Sequence, residues 1–265
     1  VPSYKAITKT DFANLRWKRY DNYHFAALDA VVPLVVQELP KACMALPVAF
    51  ILQDGKFIPA AVQGLQPGQN LFVAADGRWI GPYIPATYRG YPFALANAEN
   101  DQLVLCVDAD SGLVGEEHTE RFFDDSGEPS QSVKDVLNFL QQVRTNRELT
   151  VRLCAALDAE GLIQPWPITL KSEQGEQAVE GLYCIDEAKF NSLDAEALHR
   201  VHQSGALPVV YCQLLSMQHL QTLGQLTDAH AQAKAQSQTA QLTTGNGELN
   251  LDFLSHDGTI SFGSH

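Results

Sequence analysis

Between Trp79 and Phe93 the chain sets prolines at 82, 85 and 92 among five aromatic residues, and no other stretch narrows the fold as much. Proline lacks a backbone N–H and fixes φ, so residues 79–95 can be neither a helix interior nor a central strand. The expected form is a stiff, ordered loop that loses little entropy in presenting its side chains. Those side chains are Trp79, Tyr83, Tyr88, Tyr91 and Phe93, with Arg89 among them. Tyrosine, tryptophan and arginine dominate binding hot spots. The same rings also suit the plugging of a sheet end, with Arg89 paired to a buried carboxylate.

A body must hold this loop, and 265 residues with 45% apolar content can build a sizeable core. The reading along the chain is α+β: mainly antiparallel sheet of short strands and hairpins, packed with several helices, and a helical C-terminal third. Residues 1–24 read as an irregular arm laid across the body. Residues 26–46 have helical spacing, with Pro33 in the first turn and a stop or kink at Pro40. Val48–Leu52 and Phe57–Val62 read as strands about an Asp54-Gly55 turn, and Pro59 requires an edge or a bulge. A turn at Asp76-Gly77 joins Leu71–Val73 to Trp79–Ile80, and Leu103–Val107 is the strongest strand signal. An acidic loop over 108–129 leads to a helix over 130–160, capped by Ser130 or Ser132. Leu170 and the run Leu182-Tyr183-Cys184-Ile185 suggest a hairpin around Gly175, and helices over 194–204 and 207–226 follow. Residues 1–226 are expected to form one domain. Residues 227–265 read as a polar, Gln/Ala-rich helical extension and tail, with a marginal hairpin through Leu249, Leu251 and Phe253.

The formal charge of −13 disfavours nucleic acid and anionic lipid as partners. Along the sequence the one basic cluster is Arg16, Lys18 and Arg19, too small for a nucleic-acid footprint. No stretch approaches the ~18 consecutive apolar residues of a membrane span. The five cysteines are scattered, unpaired by motif and set in apolar stretches, as buried core thiols are. With a start at Val1-Pro2-Ser3 that is not a signal peptide, the expected location is cytoplasmic.

No Rossmann glycine motif, phosphate loop, nucleophile elbow or HExxH helix is present. His199 and His202, three apart with Glu196 nearby, fall short of the ligands a metal centre needs. Asp108–Gly112 fails the calcium-loop pattern, which wants glycine sixth and glutamate twelfth, where Leu113 and Thr119 stand. No metal or cofactor is therefore expected. The charge run Glu116, Glu117, Glu120, Asp124, Asp125 and Glu128 reads as a solvated loop, or else as a surface for a basic partner.

A series of words in order is distinctive. It comprises Asn14-Leu15-Arg16, Val32-Pro33-Leu34-Val35 with Glu38, Asn70-Leu71-Phe72-Val73, Asp76-Gly77-Arg78-Trp79 and Tyr83-Ile84-Pro85. It continues with Arg89 before Tyr91-Pro92-Phe93-Ala94-Leu95, then Gly127-Glu128-Pro129 and Pro208-Val209-Val210-Tyr211-Cys212-Gln213-Leu214. Through these words, spanning residues 4 to about 225, the chain resembles the SapC family, named for a product of bacterial surface-layer loci. The resemblance implies no established catalytic activity, cofactor or active-site residue. It also implies a setting beside flavin-dependent halogenase-like proteins, cupin-like oxygenases and outer-membrane receptors, hence a role in handling or modifying peptides or surface proteins. Family members often carry two adjacent basic residues before the Tyr-Pro-Phe word, where Arg89 is here followed by Gly90.

The expected function is that of a non-catalytic recognition or accessory protein for a peptide or protein partner. The candidate binding residues are Arg89, Tyr91, Trp79, Tyr83, Tyr88 and Phe93, joined by Asp108 and Asp110 after the strongest strand. The alternatives are an enzyme of unrecognised class, metal-assisted and acting on peptides or surface proteins, and a structural component of a surface assembly.

Overall fold

The amino-terminal arm is threaded into the body instead of lying across it. In the computed structural model, which describes residues 3–97, 102–172 and 175–242, Tyr4–Ala6 form strand β1, Lys9–Phe12 the single turn α1, and Arg16–Trp17 strand β2. The expected helix over 26–46 is also broken up. Val31–Pro33 is strand β3, Val36–Glu38 a 3-10 turn and Leu39–Ala42 the short helix α2. Four valines and Pro33 favour extended backbone here, whereas Pro40 sits harmlessly in the first turn of α2.

The Asp54-Gly55 hairpin forms as its sequence implies. Strands β4 (Val48–Gln53) and β5 (Lys56–Val62) pair antiparallel, and both turn residues have positive φ, 51° and 72°. Pro59 departs from expectation: β5 is flanked by β4 and β3. Pairing with β3 ends at Pro33↔Ala60, and the Pro59 carbonyl accepts from Leu34 N at 2.8 Å. The missing N–H therefore falls just past the end of that ladder and costs no strand bond.

The proline-rich loop contains one helical turn, α3 (Ala86–Arg89), and ends in β6 (Phe93–Asn97). Strand β7 (Leu103–Asp108) lies between β1 and β6. The acidic stretch is not wholly loop. It supplies β8 (Val114–Gly115) and β9 (Glu120–Arg121), which flank β2 on either side. Trp17 thus enters a core of Phe12, Phe93, Val107, Phe122 and Val133, edge-on to Phe93 at 4.7 Å. Helix α4 (Gln131–Ala159) follows, its N-terminus capped by Ser130, whose Oγ accepts from Val133 N. It buries Val133, Thr150, Leu153, Cys154 and Leu157.

Beyond α4 the hairpin near Gly175 has different partners from those expected. Strand β10 (Ile163–Pro165) precedes β11 (Ile168–Ser172), which pairs with β12 (Gly175–Val179), while β13 (Tyr183–Ile185) returns to β10. The larger sheet runs β10-β13-β4-β5-β3. Strand β13 meets β4 at the single pair Tyr183↔Phe50. Helices α5 (Glu187–Asn191), α6 (Ala195–Ser204) and α7 (Leu207–Ser216) complete this part. Buried Gln213 on α7 spans the opened seam of the sheet, accepting from Ile185 N and donating to Val48 O.

The chain divides into two units, Val1–Leu220 and Gln221–His265. Helix α8 (Leu220–Leu242) supplies the described part of the second. The hairpin expected through Leu249–Phe253 lies outside the described residues. The buried thiols act as core residues: burial pushes the Cys154 thiol up to about 12. Among the described residues no helix is long and apolar enough to cross a membrane. Trp17→Ala should lower the unfolding free energy by about 3–5 kcal/mol in a denaturant titration, and Ser130→Ala by about 1 kcal/mol.

Candidate functional site

A carboxylate taken out of water costs several kcal/mol unless it is hydrogen-bonded or paired. Glu38 is 5% exposed, and it meets that demand by joining three pieces of chain. Its Oε2 accepts from Val35 N at 3.1 Å, closing the 3-10 turn on itself. Its Oε1 accepts from the Ala86 N–H at 2.6 Å and from the Tyr83 hydroxyl at 2.8 Å. Helix α3 follows Pro85 and has no capping side chain of its own, so Glu38 fills that place from a distant part of the sequence. The turn bearing Glu38 is fastened to α4, because Val36 N donates to Thr150 Oγ1 at 2.8 Å.

Arg89 closes the arrangement. Its Nη2 stands 3.6 Å from Glu38 Oε1 and 3.4 Å from the Tyr83 hydroxyl. Its Cζ lies 5.3 Å from the centroid of the Phe139 ring on α4 and 5.9 Å from that of Tyr83. The side chain nevertheless remains 45% exposed. Pairing with a buried carboxylate and presentation to solvent, which the sequence posed as alternatives, occur together.

Two grooves adjoin at this guanidinium. One, of about 360 Å³, is lined by Trp17, Arg19, Tyr20, Tyr91 and Asp135 among others. The other, of about 310 Å³, is lined by Glu38, Lys41, Tyr83, Gln142 and Asn146 among others. Arg89 and Phe139 line both. Each groove also has a residue with a buried polar atom lacking a hydrogen-bond partner among the described residues: the donor Trp17 Nε1 and the acceptor Asn146 Oδ1.

Behind Arg89 the aromatic residues form a continuous stack. Tyr91 lies flat on Phe25 at 4.0 Å, Phe25 meets Tyr88 edge-on, Tyr88 meets Trp79 edge-on, and Trp79 stacks on Phe72. The Tyr88 hydroxyl donates to buried Gln63 Oε1 at 2.6 Å, which also accepts from Asn70 Nδ2. The Tyr91-Pro92 peptide is cis. The Tyr91 hydroxyl donates to Asp108 Oδ2 at 3.3 Å, and Asp108 Oδ1 accepts from Ser3 N and Asp110 N. Burial, and then the Asp108 charge, push the Tyr91 phenol up to about 12. Burial and neighbouring Tyr23 push Tyr20 up to about 12. Burial first, then the charges of Glu38 and Asp29 respectively, raise Tyr83 and Tyr88 further. These phenols are neutral donors throughout the physiological range.

The expected residues therefore separate into groups. Arg89, Tyr83 and Tyr91 stand at the grooves, and Phe93 lines the first from a buried position. Tyr88, 3% exposed, and half-buried Trp79 line neither groove and support the loop from behind. Asp108 is a buried fastening for Tyr91 and the amino terminus, whereas Asp110 is exposed and lines neither groove. Sequence reasoning missed Arg19, Tyr20 and Phe139, and it gave Glu38 no role. Phe139 could have been noticed as a large ring off the buried stripe of α4. His199 and His202 are exposed on α6, and among the described residues no three His, Cys, Asp or Glu side chains gather to hold a metal.

Residues 7–223 match the SapC family, and the chain belongs to it. No curated protein and no solved structure matches the chain. At Gly90, where the resemblance leads one to expect a second basic residue, the backbone lies tight against α4. A Cβ there would stand 2.8 Å from Leu140 Cδ2.

Glu38→Ala leaves the Ala86 N–H and the Tyr83 hydroxyl without their acceptor, and should cost roughly 3 kcal/mol of stability in a denaturant titration. The phenols carry a separate signature. Tyr20 and Tyr91 ionise at about 12 in the folded chain against an ordinary 10, so folding binds protons across that interval. Stability should be insensitive to these groups below pH 10 and fall as pH rises from 10 towards 12, in step with the delayed tyrosinate absorbance.

Proposed function

We propose that this member of the SapC family is a non-catalytic recognition or accessory protein, binding a peptide or protein partner through the loop 79–95. The observation that carries this reading is the half-exposed Arg89 guanidinium, held at the shared wall of two grooves by a buried carboxylate. A free arginine side chain loses up to about 2 kcal/mol of rotamer entropy when a ligand fixes it. Here Glu38, Tyr83 and Phe139 restrict it beforehand, which leaves a planar fork aimed at a carboxylate or a main-chain carbonyl.

The walls suit the same partner. Tyr20, Tyr91 and Phe139 offer rigid apolar area, and Arg19 and Lys41 add positive charge on either side of Arg89. The Tyr83 and Tyr91 phenols stay protonated through the physiological range, with their single O–H groups committed to Glu38 and Asp108, which suits rigid walls better than proton carriers. We infer a reducing, cytoplasmic setting from the free thiols of Cys43, Cys106, Cys154, Cys184 and Cys212.

Screening of peptide arrays, followed by fluorescence polarisation on the best binders, tests the reading. Arg89→Ala and Tyr91→Ala should each weaken binding at least about tenfold, the loss expected for a charge-assisted contact or a stacked ring. Full-affinity binding by both folded variants would overturn the site.

A further inference from the structure

We propose that a separate groove on α4 binds a small, multiply charged oxyanion, either a phosphate ester or a di- or tricarboxylate. This groove, of about 740 Å³, is lined by Lys56, Arg144, Arg147 and Arg152 together with Asp54 and Glu148, so cations outnumber anions. That is the reverse of the chain as a whole, whose formal charge is −13 with 18 lysines and arginines. The cations come from distant parts of the sequence. Lys56 follows the β4–β5 turn, while the arginines follow one another at i, i+3 and i+8 along one face of α4.

The pairing of these cations points to a ligand. Arg144 Nη1 donates to Asn97 Oδ1 at 2.9 Å, and Arg147 Nη2 donates to Gln53 Oε1 at 2.6 Å. Neutral amide oxygens orient the two forks without cancelling their charge. The Arg144–Glu148 pair is long, at 3.9 Å, and both side chains are exposed, so it neutralises little. Lys56 and Arg152 make no ion pair among the described residues. Gathering like charges costs energy that an oxyanion would recover, and arginine forks match phosphate and carboxylate oxygens in bidentate fashion. Buried Ile58 and half-buried Val151 supply apolar lining. The volume falls in the range of about 300–1,000 Å³ for small-molecule sites. A long polyanion would meet the acidic remainder of the surface, which restricts the ligand to a small one. No residue of this groove lines those at Arg89, so the inference does not depend on the peptide reading.

Isothermal titration of the full chain at low salt, with pyrophosphate in one arm and citrate in the other, tests the proposal. At least one probe should bind, and Arg147→Gln with Arg152→Gln should weaken it at least about tenfold. Preference for pyrophosphate assigns the site to phosphate esters, and preference for citrate assigns it to carboxylates. Lys134→Gln, which removes one positive charge from α4 outside the groove, should leave binding near wild type. Absence of heat from both probes, affinity unchanged in the folded double variant, or an equal loss in Lys134→Gln would each overturn it. Thermal melts of every variant separate lost binding from lost folding.

Discussion

One buried carboxylate holds the candidate site in shape. In the proline-stiffened loop the Tyr83 hydroxyl and the first N–H of the short helix α3, which starts without a side-chain cap, both need an acceptor. Glu38 supplies what both lack, accepting from Ala86 N and Tyr83 Oη while its own turn is fastened to α4 through Val36 and Thr150. The charge is tolerable in the interior because these donors replace water and Arg89 stands beside it. Without Glu38 the loop, the turn and the arginine would lose the one group they share.

The same device recurs wherever the sheets leave a gap. Gln213 satisfies Val48 and Ile185 at the seam between β4 and β13. Gln63 receives the Tyr88 hydroxyl and the Asn70 amide, and Asn70 fastens the Ala26 and Phe72 backbone behind the aromatic stack. Buried amides define a single arrangement when fully satisfied, as Gln213 is at both ends of its side chain, whereas Gln63 uses only its oxygen and its Nε2 has no partner among the described residues. The result is a loop whose rings are immobilised from behind and whose guanidinium remains partly in solvent.

The parts that could be read from the sequence are those governed by neighbours in the chain. The Asp54-Gly55 hairpin, the Ser130 cap and the long helix α4 depend on local turn chemistry and spacing, and each stands where the residues place it. The arm and the stretch 26–46 were misread for the opposite reason. Strand β2 exists only because residues 114–121 return to flank it, and β3 only because β5 lies beside it. Their apolar residues have no diagnostic period until those partners are present. In the site, Arg89 and its tyrosines could be picked out by type. Glu38 could not, since its donors lie 45 and 48 positions away. The basic groove was hidden likewise, because Lys56 and the arginines of α4 form no run and the overall charge masks them.

The central claim is that Glu38 orients the Arg89 guanidinium before any ligand arrives. Nitrogen-detected NMR of arginine-labelled protein measures this through the rotation rate about the guanidinium Cζ–Nε bond. Slow rotation of Arg89 in the wild type, becoming fast and averaged in Glu38→Gln, is the result the account predicts. Equally fast rotation in both proteins would contradict it.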